Sequence, residues 1–211
     1  MSFDETCAKL VDRPAHNLSG GVPFVSEEAI ETAVKRALSN IKYMDGEVDL
    51  KKVCDSLGVS LKHSDRKALD ADGNLILGSI NFDSGEIEVG KHDNRKCERF
   101  TVAHEIGHFC LNHGEYLRSE TIVERDLFVT EDAEDMFNYE RLEYQANIFG
   151  SLLLLPGFQF AQEVKLHRQR LNYIDKGFGY IFVDDQSCNL TPYIQLLSSL
   201  SDHFGASNQV V

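Results

Sequence analysis

Apolar residues recur at Ile30, Val34, Leu38 and Ile41, the spacing that lines one face of a helix. With Ser26 ahead of them as a cap, the pattern predicts a helix from Ser26 to about Ile41. A second, shorter helix is predicted over Asp49 to Leu57, since Asp49 can cap it and Gly58 follows where the chain must turn left-handed. Val59, Leu61 and His63 then alternate as a strand does. Two further strands, Leu75 to Phe82 and Glu86 to Val89, flank Asp83-Ser84-Gly85, a sequence suited to a hairpin turn. A small antiparallel sheet is therefore expected before the next helix.

That helix is predicted from near Asn94 to near Asn112, where Asn112, His113 and Gly114 supply a stop. Its apolar residues Phe100, Val102, Ala103, Ile106, Phe109, Cys110 and Leu111 go most of the way round the axis, which predicts burial on several sides. Residues 115–137 are acidic and mixed, as in a surface crossover. Another helix is predicted from about Tyr139 to Leu155, ended by Pro156, because the residue before a proline is pushed out of the helical region. Gly157 to Leu171 reads as a helix and Tyr180 to Val183 as a short strand, and Thr191-Pro192 opens a helix reaching His203 or Phe204. Residues 1–25 lack periodicity and read as an irregular arm, leaving 26–211 as one domain of α+β class.

Composition narrows the class. The 211 residues, 42% hydrophobic and 26% charged, match a water-soluble domain with a proper core. No apolar run approaches the length of a membrane span, and the start of the chain lacks the basic and apolar regions of a leader. The five cysteines (Cys7, Cys54, Cys97, Cys110 and Cys188) are odd in number and form no C-x-x-C pair, which fits free thiols in a reducing compartment. A cytoplasmic location is expected. The formal charge of −13 opposes tight contact with phosphate backbones, where clustered cations supply most of the affinity.

The chemistry concentrates in His104-Glu105-Ile106-Gly107-His108. On a helix, residues four apart lie one turn above one another, so the two imidazoles can converge on one ion. Glu105 is rotated about 100° from His104 and can act as general base on a water without being a ligand. The motif arises by chance too often to decide alone, but two histidines and a carboxylate in a buried helix are costly without a metal or partners. A catalytic zinc needs a third protein ligand. His113 does not extend the motif, since the longer H-E-x-x-H-x-x-G-x-x-H pattern wants glycine where Leu111 stands and histidine where Gly114 stands. The Tyr139 to Leu155 helix offers Glu140 and Glu143. Glu143 is preferred because it falls amid Leu142, Ala146, Phe149 and Leu153, the stripe expected to face the core, with Asn147 four residues on to orient it.

The segments Arg99 to Phe109, Glu143 to Gly150 and Leu152 to Pro156 together resemble the ImmA/IrrE family of metallopeptidases, with weaker likeness in Asp49 to Val59, Gly78-Ser79-Ile80 and Gly85-Glu86-Ile87. The resemblance covers about residues 47 to 211. It implies a zincin-like fold, zinc held by His104, His108 and Glu143, and Glu105 as the base. It further implies a protein substrate, a repressor with a helix-turn-helix DNA-binding domain that governs phage, mobile-element or stress genes. Gly150 stands where alanine is usual, and the first 46 residues have no counterpart. Leu200 to Ser207 looks like the family's closing helix and turn, so the chain is expected to be cut short one turn into a following helix.

An oxyanion helper is expected but not singled out by the sequence; His113, Tyr116, Tyr139 and Arg141 are candidates, each of which reads more readily as structural. Two rival readings compete with the peptidase. One is a non-catalytic zincin-like regulator of a phage or toxin–antitoxin pair, which has no need of an intact Glu105. The other is direct DNA binding by Phe204 to Val211, which the −13 charge opposes. The oligomeric state is not encoded in any pattern of the sequence.

Overall fold

The computed structural model describes residues 22–65, 68–69, 75–117, 119–123, 138–173, 177 and 181–211. The stretch 1–21 of the expected arm and residues 124–137 of the expected crossover lie outside them. The chain divides into two compact units, the first drawn from Met1–Met44 and Asp49–Leu153, the second from Asp45–Val48 and Leu154–Val211.

The first unit opens with helix α1, Glu27–Asn40, whose N-cap Ser26 accepts a hydrogen bond from Ala29 N and whose buried face is Ile30, Ala33, Val34, Ala37 and Leu38. Helix α2, Leu50–Leu57, is capped by Asp49, which accepts from Lys52 N, and ends on Gly58 at φ 72°, a left-handed conformation that glycine adopts without strain. The strands are β1 (Ser60–Ser64), β2 (Ala68–Leu69), β3 (Leu75–Asn81), β4 (Glu86–Gly90) and β5 (Ser119–Val123). The β3–β4 hairpin turns where expected, with Asn81 Oδ1 accepting from Ser84 N and Gly85 at φ 63°.

Strand β3 pairs antiparallel with β4, β2 and β5, while β1 joins β4 in parallel, Leu61 opposite Ile87 and His63 opposite Val89. The expected sheet is thus mixed rather than wholly antiparallel. A parallel neighbour needs a long connection, and here the hairpin returns β4 to the side of β1. Strand β5 was not foreseen; it falls in the stretch read as crossover.

Helix α3, Arg95–Cys110, starts at Asn94, whose side chain accepts from Lys96 N, and lies against β3 and β4. Ile80, Ile87 and Val89 face inward from the sheet and meet a helix that is buried from Arg99 to His108. Strand and helix lie close together at Gly78, where an added Cβ would lie 2.5 Å from Thr101 Cγ2 and 3.4 Å from Glu105 Oε1. Gly78→Ala must therefore displace the Thr101 side chain or shift the strand against the helix. Overpacking of this kind costs about 1–3 kcal/mol, so the urea midpoint of G78A should fall; an unchanged midpoint would contradict the packing.

Helix α4, Asn138–Leu154, buries Leu142, Ala146, Phe149, Leu153 and Leu154. It crosses α3 at two glycines. A Cβ on Gly107 would come within 3.1 Å of Ala146 O, and one on Gly150 within 3.2 Å of the His104 backbone N. The glycine at 150, where alanine is usual in the family resembled, removes a methyl that would press on the backbone at His104.

The second unit contains helices α5, Gly157–Arg170, and α6, Ser187–Phe204, with Leu196, Leu200, Phe204 and Ala206 buried and the Phe160 and Phe204 rings 5.9 Å apart. Helix α6 begins four residues before the expected Thr191, with Pro192 inside it. The earlier start is organised by Asp184, whose Oδ1 accepts from Gln186 N and Asn189 Nδ2. Residues 181–184 form no strand, and Tyr180 lies outside the described residues. His203 sits between two carboxylates, with Nε2 3.1 Å from Asp45 Oδ1 and Nδ1 3.9 Å from Glu163 Oε2. No described helix is long and apolar enough to cross a membrane.

Candidate metal centre

His104, Glu105 and His108 are buried in the C-terminal half of α3, and Glu143 is buried on α4. The close crossing of these helices brings the three expected ligands together. His104 Nε2 and His108 Nε2 are 2.9 Å apart, and the Glu143 carboxylate spans them, Oε2 3.3 Å from His104 and Oε1 3.2 Å from His108. Glu140, the alternative considered for the third ligand, is only half-buried and is not part of this group.

The polar surroundings hold these side chains in place. His104 Nδ1 donates to Asn147 Oδ1 at 2.8 Å, which leaves the Nε2 lone pair pointing at the cluster. Asn147 was expected to orient Glu143; its carbonyl oxygen holds His104 instead. His108 turns Nδ1 toward His113 Nδ1, 2.9 Å away, and His113 Nε2 lies 3.1 Å from Gln145 Oε1. His113 and Gln145 are themselves buried. His113 reaches inward because Asn112 takes a left-handed conformation, φ 60°, and the chain then winds into a short 3-10 turn, His113–Glu115. The sequence offered His113 as part of a helix stop, as a metal ligand that the longer motif ruled out and as an oxyanion helper, but not as a partner of His108, and Gln145 went unread. An asparagine in the left-handed region followed by a histidine was the available signal.

Protonation also favours a cation. Burial pushes the His108 imidazole below its ordinary range, outweighing the opposing effect of Glu143. Burial pushes His113 lower still, aided by its proximity to His108. For Glu143, burial acts upward, but the His104 and His108 imidazoles beside it prevail and hold the carboxyl below the usual carboxylate range. Lone pairs and a carboxylate thus converge in a buried site whose donor set suits a compact cation, and His104, His108 and Glu143 could hold one. Glu105 stands outside this trio, with its carboxylate under β3 at Gly78.

These shifts set a pH dependence for the metal-free protein. In the unfolded chain His108 and His113 titrate near their ordinary value of 6.5, whereas in the fold both take up protons only at lower pH. Between those limits the unfolded state binds more protons. Stability should therefore be level above about pH 6.5 and fall below it, by up to about 1.4 kcal/mol per pH unit for each group. Urea midpoints of chelator-treated protein between pH 8 and pH 5 measure this; a midpoint that holds or rises on acidification would contradict neutral burial of the two rings.

Of the expected oxyanion helpers, His113 is committed to His108 and Gln145, and Arg141 donates to Val22 O at 2.7 Å. Tyr116 and Tyr139 are exposed.

A mixed sheet packed on a buried helix bearing His104-Glu105-x-x-His108, closed by a glutamate from a second helix, defines an α+β, zincin-like metallopeptidase. The model of the peptidase M78 family, described as the IrrE N-terminal-like domain, matches residues 54–184, more than half of the 211, and the chain belongs to that family. The match runs from within α2 to just before α6 and includes both motif helices. Comparison with curated proteins finds no match.

Proposed function

We propose that this metallopeptidase is a zinc-dependent endopeptidase that cuts a protein partner, a helix-turn-helix repressor of phage, mobile-element or stress genes, in the cytoplasm. The observation that carries the enzymatic reading is the meeting of His104 Nε2, His108 Nε2 and the Glu143 carboxylate within 3.3 Å of one another, with Glu105 one residue along the same helix. Two nitrogens and one oxygen are the donor set of a catalytic zinc that keeps a position open. Bound there, zinc would supply Lewis acidity toward a scissile carbonyl and toward water.

The chain's own residues supply the rest. Asn147 and His113 fix the ring orientations of His104 and His108. Glu105 is buried and outside the ligand trio, the position from which a general base takes the proton of the attacking water and delivers it to the leaving amine. A repressor as substrate follows from the resemblance of the two motif segments to the ImmA/IrrE family. The −13 charge supports contact with a basic DNA-binding protein rather than with DNA itself. The four described cysteines, all free thiols, fit a reducing compartment.

The test is to mix zinc-loaded protein with a helix-turn-helix repressor, taken from a neighbouring gene where one is encoded, and follow the partner by intact mass. Cleavage at a defined bond that stops on chelation is expected. Stable binding of an uncut partner would favour a non-catalytic regulator.

A further inference from the structure

His113, Gln145 and the Pro23 carbonyl form a buried, one-directional hydrogen-bond chain ending on His108. Gln145 Nε2 donates to Pro23 O at 3.0 Å. A backbone carbonyl only accepts, so the amide NH2 must face Pro23 and Oε1 must face His113. His113 Nε2, 3.1 Å from that oxygen, is then the protonated nitrogen, and its Nδ1 is left as an acceptor. That Nδ1 lies 2.9 Å from His108 Nδ1, which must donate. His108 therefore carries its proton on Nδ1 and presents the Nε2 lone pair to His104 Nε2 and Glu143.

We infer that His113 is a positioning residue of the metal centre, setting the tautomer and ring orientation of His108 through a chain anchored on Pro23. This inference rests on His108 being a metal ligand. The anchor is fixed from both sides, because Arg141 Nη1 holds Val22 O while Gln145 holds Pro23 O, and these two side chains flank Glu143 on α4. The segment preceding α1 is thereby tied to the helix that supplies the third ligand. Each imidazole of the pair then has its own keeper, Asn147 for His104 and His113 for His108. Partners of this kind fix which nitrogen of a ligating histidine is free, and their loss lowers metal affinity about 10–100-fold.

Two measurements test it. Long-range proton–nitrogen correlations of the imidazole rings in the metal-free native chain should show His108 protonated on Nδ1 and His113 on Nε2; a His108 proton on Nε2 would overturn the inference without any variant. Zinc affinity by competition with a chelating dye should fall about 10–100-fold in His113→Leu. In His113→Asn, whose Oδ1 can still accept from His108 Nδ1, it should return to within about threefold of the native value. Native affinity in His113→Leu, or equal losses in both variants, would overturn it. A native chain that takes up no zinc would instead sink the metal-centre reading, and the tautomer spectra distinguish the two failures.

Discussion

Replacing Glu105 with glutamine should abolish peptide hydrolysis while leaving metal uptake unchanged. The carboxylate is buried against β3 at Gly78 and lies outside the group that could hold the ion. Glutamine preserves its volume and shape but cannot take a proton from water. Positioned general acid–base catalysis contributes about 10²–10⁴-fold, so kcat for E105Q should fall at least that far. Metal content per chain and unfolding midpoint should stay close to native. Activity within about tenfold of native would show that another group is the base; loss of the metal together with activity would make Glu105 a ligand.

Glu143→Ala should produce the larger loss of metal. Glu143 supplies the only carboxylate of the trio, its two oxygens 3.2 and 3.3 Å from the imidazole nitrogens, and it comes from a different helix. Removing it leaves two nitrogens on one helix and takes the charge out of the site. Because loss of an outer hydrogen-bond partner already costs about 10–100-fold in affinity, loss of this ligand should cost more than about 100-fold. The thermal signature follows by linkage. A ligand at 1,000 times its Kd stabilises the native state by about 4.1 kcal/mol, and a 100-fold weaker site forfeits about 2.7 kcal/mol of that, so the rise in Tm on adding zinc should largely vanish in E143A. A full zinc-dependent rise in that variant would remove Glu143 from the metal centre. E140A, altering a half-buried residue outside the trio, is the matched control and should behave as native.

Much of this site was legible because its signals are local. The caps at Ser26, Asp49 and Asn94 are side-chain hydrogen bonds to backbone N–H groups two or three residues on, and the left turn at Gly58 follows from one residue's lack of a Cβ. His104 and His108 share a helix face by spacing alone. Glu143 required a step across 35 positions of chain, from 143 − 108, and was reached because Leu142, Ala146, Phe149 and Leu153 announce which face of α4 is buried. The features that escaped depend on long-range pairing or contact. Strand β5 pairs with β3 from the far side of the motif helix, and β1 adds in parallel to β4; strand propensity does not encode either choice of neighbour. The start of α6 depends on Asp184 capturing Asn189 ahead of a proline that locally argues for a later start. The hydrogen bonds of His113 and Gln145 exist only once α3 and α4 cross and bury them beside His108. Gly150, a departure when read along the chain, acquires a reason only from its contact with the His104 backbone.

The metal centre itself is tested most directly by zinc K-edge absorption on protein loaded with zinc and dialysed to constant content. Expected are one zinc per chain and a shell of nitrogen and oxygen alone at about 2.0–2.2 Å, including two imidazoles. Uptake well below one per chain, or a sulfur shell near about 2.3 Å, would contradict a site built from His104, His108 and Glu143.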